Sequence, residues 1–219
     1  MVRLPVLTRH TPAGVLQLRE LRRRDARAWR AVRARNAEWL SPWEATVPPG
    51  TGEEVPSYGQ MVTRFRAEAR AGRTMAWAMT LDGRLIGQVT VAGITLGSLR
   101  AASVGYWIDS RVAGQGLTPM AVAMASDYCF GALKLHRVEI VIRPENAASL
   151  RVVEKLGFRR EGPRPAYLHI DGGWRDHEVF ALNADEVPDS LVETLAARHE
   201  SSGSRFPGSG DQGGIDFGS

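Results

Sequence analysis

Apolar and polar positions change period several times along this chain, and the changes mark out its elements. Residues 15–21 alternate, with Val15, Leu16, Leu18 and Leu21 apolar, and predict a first strand after an irregular lead-in over residues 1–14. Residues 24–40 follow a helical period. Ala26, Trp29, Val32, Asn36, Trp39 and Leu40 share one side, arginines lie between them, and Ser41-Pro42 ends the run. A loop with Pro48-Pro49-Gly50 leads to a second helix over residues 57–71. Tyr58, Met61, Val62, Phe65 and Ala69 lie on its inner side, and Gly72 follows. Residues 75–81 and 85–94 read as strands joined at Asp82-Gly83, a dipeptide suited to a two-residue hairpin turn.

The stretch from Val104 to Phe130 organises the rest. It opens with a β-rich run, Val104 to Ile108, and turns at Asp109-Ser110. It then passes Gly114-Gln115-Gly116 and enters an apolar helix with Thr118 as the expected cap and Pro119 as the first helical residue. Glycines before a helix N-terminus leave backbone N–H groups unshielded, which suits an anion, phosphate above all. A plain strand-to-helix turn is the alternative. A Walker loop is excluded because Leu117-Thr118 follows Gly116, and a dinucleotide fingerprint because Pro119 stands where Gly or Ala is needed.

Beyond this stretch, residues 137–142 form a β-branched run that predicts a buried strand. Asn146 caps a helix over residues 147–156, which Gly157 stops. Residues 158–162, 166–171 and 174–182 predict three closing strands, the last two joined at Gly172-Gly173. This order implies an α+β (mixed α/β) domain with an antiparallel front half and a crossover helix. Its expected extent is residues 15–185, followed by a terminal helix over residues 186–200 and a disordered Gly/Ser-rich tail over residues 201–219.

Composition narrows the class. At 219 residues and 43% hydrophobic content the chain is one ordinary domain with a sizeable core. Its longest apolar segment is interrupted by Asp127 and too short to span a bilayer. No signal peptide stands at the N-terminus, so a cytoplasmic location is expected. The single cysteine, Cys129, lies in the apolar helix and reads as a core thiol. The net charge of +4 suits a polyanionic cofactor or a ribosome-associated partner without requiring either. No aromatic-interleaved basic stripe suggests direct nucleic-acid recognition, and no spacing suggests a metal site.

Three segments together carry a family resemblance. They are Val104 to Ile108 with Ala113 to Thr118; His136-Arg137-Val138-Glu139 with Arg143 to Ser149; and Glu154-Lys155-Leu156-Gly157-Phe158 with Glu161-Gly162. Over roughly residues 15–182 the chain resembles the GNAT acetyltransferase superfamily. Gly173-Trp174-Arg175-Asp176-His177 points to its RimJ/RimL branch of ribosomal-protein N-terminal acetyltransferases.

The resemblance implies a sheet with a splayed parallel strand pair and acetyl-CoA as co-substrate. The amine acceptor would be a protein N-terminus, possibly a ribosomal protein, and the molecule a monomer or homodimer. It implies cofactor contacts at Tyr106, Trp107, Ile108, Ala113, Gly114, Gln115, Gly116, Leu117, Thr118, Asn146 and Ser149. Ser149 is the expected proton donor to the leaving sulfur, or else only a residue supporting the helix start. Glu139 is the expected base, or else an arginine's ion-pair partner, because a carboxylate in an apolar strand needs a reason. Trp39 and Trp43 are expected to border the acceptor, Tyr167 and His169 either to do so or only to pack within their strand, and His177 to form a structural hydrogen bond. The chain departs from the family at Ala113, where Gln or Arg often begins the phosphate loop, and at Val153, where many relatives carry a tyrosine acid. A small-molecule amine acetyltransferase and a non-catalytic CoA-binding module are the competing readings.

Overall fold

The computed structural model describes residues 4–203. Eight strands form one sheet in the order β1-β2-β3-β4-β5-β6-β8-β7. They are β1 (Leu7–Thr11), β2 (Gly14–Glu20), β3 (Met75–Leu81), β4 (Arg84–Thr95), β5 (Ala101–Ile108), β6 (Arg137–Ile142), β7 (Arg159–Ile170) and β8 (Gly173–Asn183). Six helices flank it: α1 (Ala26–Arg35), α2 (Ala37–Leu40), α3 (Tyr58–Arg70), α4 (Leu117–Gly131), α5 (Ala147–Leu156) and α6 (Leu191–Gly203). Every neighbouring pair is antiparallel except β5 and β6, whose parallel pairing covers only Ala101↔Arg137, Ala102↔Val138 and Ser103↔Glu139.

Strand alternation gives the sheet two covered faces. Met75, Trp77 and Met79 of β3 join Val104 of β5, Ile140 of β6 and the buried helix α4 in the larger core. Ala76 and Ala78, between them on β3, face the other way against Val32 of α1 and Val62 of α3. On β5, Tyr106 packs with the α4 and α5 side, and Trp107 with the α1 and α3 side. Helix α4 is apolar all round because the sheet and both α5 and α6 cover it.

Several elements differ from expectation for identifiable reasons. Residues 7–11, expected to be irregular, form β1, which pairs with β2 from Leu7↔Leu18 to Thr11↔Gly14. The strand is an edge whose outward residues are polar, so its alternation is weak. The expected helix 24–40 breaks at Asn36, where φ is −110° and ψ 17°. Asn36 is not an apolar-face residue. Its buried amide donates to the Val32 carbonyl at 2.8 Å and to Asp109 Oδ1 at 2.9 Å. Helix α4 is capped by Gly116, at φ +77°, rather than by Thr118. The two strands expected over residues 158–171 are one bulged strand, β7, in which Ala166 takes a φ of +48° and donates its N–H to Asp176 at 2.8 Å.

The terminal helix is part of the core rather than an appendage. Asp127 of α4 accepts from the Leu191 and Val192 N–H groups at 2.9 and 3.1 Å, and Leu191 and Leu195 are buried. The expected tail overlaps α6 up to Gly203, and residues 204–219 lie outside the described residues. Among the described residues no helix is long and apolar enough to cross a membrane. Cys129 is fully buried, and that burial pushes its thiol up to about 12.

Candidate active site

The short parallel pairing of β5 and β6 creates the site. Beyond Ser103↔Glu139 the strands diverge, so Val104 to Ile108 and Ile140 to Ile142 face each other without ladder hydrogen bonds. A cleft of about 1090 Å³ opens there and runs through the sheet. Backbone groups at such a break need partners. A ligand with its own amide groups satisfies that need.

On the α4 side, a loop and two helix starts converge. Gly114 and Gly116 have φ of +81° and +77°, backbone that glycine adopts without strain. The loop is held from behind. Asp109 is buried and accepts from Arg35 Nε at 3.1 Å, from the Asn36 amide and from the Arg111 N–H. Asn36 Oδ1 in turn accepts from the Ser110 N–H at 2.9 Å. Burial pushes the Asp109 carboxyl up, but the Arg35 and Asn36 hydrogen bonds and the Arg35 charge outweigh it and hold it below its ordinary range. Asn146 caps α5 by accepting from the Ser149 N–H at 3.0 Å. The Tyr106 hydroxyl is buried in the cleft wall without an ordinary hydrogen-bond partner. Burial pushes this phenol up to about 12, against the pull of the Ser149 side chain beside it.

The α1 side is an aromatic chamber. Four of the six tryptophans, Trp29, Trp39, Trp43 and Trp107, line it with Met61. Trp29 and Trp107 meet edge to face at 6.2 Å, and the Arg33 guanidinium lies 5.4 and 5.3 Å from their ring centroids. Glu44 pairs with Arg33, and Glu145 with Arg143 at 3.2 Å. Arg143 also lies over the Trp43 ring at 5.5 Å.

The structure brings most of the expected residues together. Tyr106, Trp107, Ile108, Ala113, Gly114, Gly116, Thr118, Asn146, Ser149, Trp39 and Trp43 all line the cleft. Gln115 and Leu117 do not, and Leu117 is buried in the core. Glu139 is also outside the cleft. Arg137 Nε at 2.9 Å and Arg164 Nη2 at 3.1 Å hold its carboxylate, so the ion pair, not the base, is what the geometry shows. His169 ties down the loop after α2, with its ring against the Thr46 hydroxyl at 2.7 Å and its carbonyl accepting the Thr46 N–H at 2.8 Å. Tyr167 stacks under Arg164, away from the cleft. The sequence reading gave no cleft role to Trp29, Arg33, Arg143, Arg151, Lys155 or His177, all of which line it, although His177 does make the expected hydrogen bond, to the Arg175 carbonyl. A signal existed for the first pair, since Trp29 and Arg33 stand one helical turn apart.

The comparisons with known proteins agree with this geometry. The family model for the acetyltransferase (GNAT) domain matches residues 16–159. YjcK of Bacillus subtilis is 44% identical over 106 residues, 48% of this chain and 59% of that protein. The ribosomal protein uS5-alanine N-acetyltransferase of Escherichia coli is 31% identical over 170 residues, 74% of this chain and 85% of that protein. Mycobacterium smegmatis RimJ, solved in complex with CoA-disulfide, is 42% identical with a TM-score of 0.83, over 89% of this chain and 94% of that one.

Proposed function

Because the chain belongs to the GNAT acetyltransferases, in their RimJ/RimL-like branch, we propose that it transfers the acetyl group of acetyl-CoA to the α-amino group of a protein N-terminus, a ribosomal protein being the expected acceptor. One observation carries the reading. The gap between β5 and β6 joins a glycine-bearing anion loop on one face of the sheet to an aromatic chamber on the other. A thioester reaching into the gap from the first face meets an amine entering from the second.

In this reading the loop over residues 113–118 and the first turn of α4 receive the pyrophosphate, where N–H groups and the helix dipole favour negative charge. Arg151 and Lys155, also on the cleft wall, add positive charge for the phosphates and offset the donor missing at Ala113. The free strand edges and Asn146 bond the amides of the pantetheine arm. A backbone N–H between Tyr106 and Ile108 stabilises the oxyanion as the amine attacks. Ser149 gives a proton to the departing sulfur.

The chamber favours a peptide over a polyamine. A polycation needs free carboxylates, and the two that line the cleft, Glu44 and Glu145, are already paired with arginines. An α-amine also suits the chemistry, because its pKa of ~7.7–8 lies far below the ~10.4 of lysine and releases the attacking lone pair near neutrality.

The test is intact-mass analysis after incubation with acetyl-CoA and peptides beginning with Ala, Ser or Met, with a polyamine and an aminoglycoside in parallel. A gain of one acetyl group confined to peptide N-termini is expected. Acetylation of the polyamine alone would move the assignment to small amines, and CoA binding without any acetylation would leave a non-catalytic module.

A further inference from the structure

His177 is a buried titratable side chain that the scheme above does not use. Its position follows from the strand register. Val179 and Ala181 of β8 pair with Val141 and Glu139 of β6, while Val138, Ile140 and Ile142 pack with α4 and α5. Alternation therefore puts Val141, Val179 and His177 on the opposite face, the side of Trp107 and α1. Only 3% of His177 is exposed, yet it lines the cleft with Ile142, Arg143 and Leu168. It is thus a ring walled in by protein with one side on the acceptor chamber.

The ring's chemistry is set by one hydrogen bond. Nδ1 lies 3.0 Å from the Arg175 carbonyl oxygen. A carbonyl only accepts, so Nδ1 carries the hydrogen. In the neutral ring Nε2 then holds a lone pair, and no described group forms a hydrogen bond with it. The ring edge meets Tyr167 of β7 at 5.7 Å, and Arg164 is its register partner there. Arg143 and Glu145 face it from the connection between β6 and α5, and Asp176 and Arg175 flank it on β8. Burial pulls the imidazole below its ordinary pKa of 6.5; the Arg175 carbonyl opposes this and the Arg143 charge adds to it. The ring is therefore neutral, and able to accept a proton, where the enzyme would work.

We propose that Nε2 of His177 is the base of the reaction, taking a proton from the acceptor ammonium directly or through one water. This rests on the acetyl-transfer reading. The ammonium N–H bond breaks and Nε2 gains the proton. The freed lone pair forms the C–N bond to the acetyl carbon, and the C–S bond breaks with its electron pair on sulfur. The imidazolium returns its proton to water, the adduct's nitrogen gives its second surplus proton to water as well, and Ser149, having protonated the sulfur, is reprotonated from water, so one proton is released per turnover. Ser149 and Asn146 serve the α4 face of the gap and His177 the α1 face, so donor and acceptor of protons stand on opposite sides of the sheet.

The tests separate this role from a structural one. Nitrogen NMR of the free protein should show His177 as the Nδ1–H tautomer with a pKa below 6.5. An Nε2–H tautomer would overturn the proposal whatever the activity. His177→Asn keeps an amide to donate to the Arg175 carbonyl but offers no base. It should keep the melting temperature and CoA affinity, and lower kcat by about 10²–10⁴-fold. His177→Gln should do the same if it folds. The pH profile of kcat should lose its acidic inflection in both. A wild type that turns over while His177→Asn keeps pace, or loses rate only because CoA binding fails, refutes the role of His177 alone. A wild type that acetylates none of the amines above refutes the acetyl-transfer reading, and this proposal with it.

Discussion

Single side chains decide how the site is held and how it works. Ser149 forms its cap contact through its backbone N–H, not its hydroxyl, so Ser149→Ala should leave α5 and CoA affinity intact. Its kcat should fall about 10²-fold as a lost proton donor; an unchanged kcat with unchanged KM would leave Ser149 as packing. Asn36 bridges Val32, Asp109 and Ser110, so Asn36→Ala strands buried polar groups. Urea unfolding should show a loss of about 1–3 kcal/mol, and calorimetry weaker CoA binding, because the loop ahead of Gly114 loses its anchor. Asp109 adds a pH dependence of defined sign. Its folded pKa lies below the ordinary 3.8, so its stabilisation is complete above that value and disappears as pH falls through the folded one. Asp109→Asn should flatten that acid limb of the urea midpoint. At this scale the sequence was half legible. Asn146 and the glycines announced themselves through capping and turn chemistry. Asn36 did not, because a buried polar residue at helical spacing looks like any other face position. Glu139 stayed open between base and ion pair: Arg137, two residues away, was a visible partner, whereas Arg164 comes from distant β7.

Elements set where these residues meet. The hairpin between β3 and β4 was readable to within a residue, since Asp82 and Gly83 both take positive φ, at +48° and +79°. Helix α5 was readable at both ends, with Asn146 as its N-cap and Gly157 following it at φ +75°. Edge strand β1 and bulged β7 were not, because their pairing is specified by neighbours more than by local pattern. Two substitutions test the packing of elements. At Gly87 of β4 an added Cβ would lie 2.3 Å from the Trp107 carbonyl oxygen. Gly87→Ala should therefore destabilise by about 1–3 kcal/mol in urea unfolding and perturb Trp107 fluorescence at the cleft. Asp127 caps the start of α6 and also accepts from the Ser190 hydroxyl. Asp127→Ala should lower stability by about 1–2 kcal/mol and make residues around Leu191 sensitive to limited proteolysis. An unchanged digestion pattern would mean that burial of Leu191 and Leu195 alone holds α6.

On the scale of the whole molecule, the sheet divides labour between its faces. The α4 and α5 side presents the glycine-bearing loop, and the α1 and α3 side presents tryptophans. The order of elements from β2 to α5 was legible from local pattern, and the splayed strand pair from the family motifs. Which residues share a face was not, because that depends on register across β5, β6 and β8. The register also has a mechanical meaning. Strands β1 to β5 and strands β6 to β8 are two half-sheets, and only three residue pairs stitch them together. Such a seam is a natural boundary between cooperative unfolding units. In native-state hydrogen exchange, amides of β3 and β4 should open in one unit and those of β8 in another when the protein is alone. With saturating acetyl-CoA the two openings should merge, because an arm bonded to both strand edges replaces the missing rungs. Identical exchange with and without it would show that the helices already weld the halves. Openings that merge on binding would make the break that admits the substrate the molecule's line of weakness as well, alternately sutured and released by turnover.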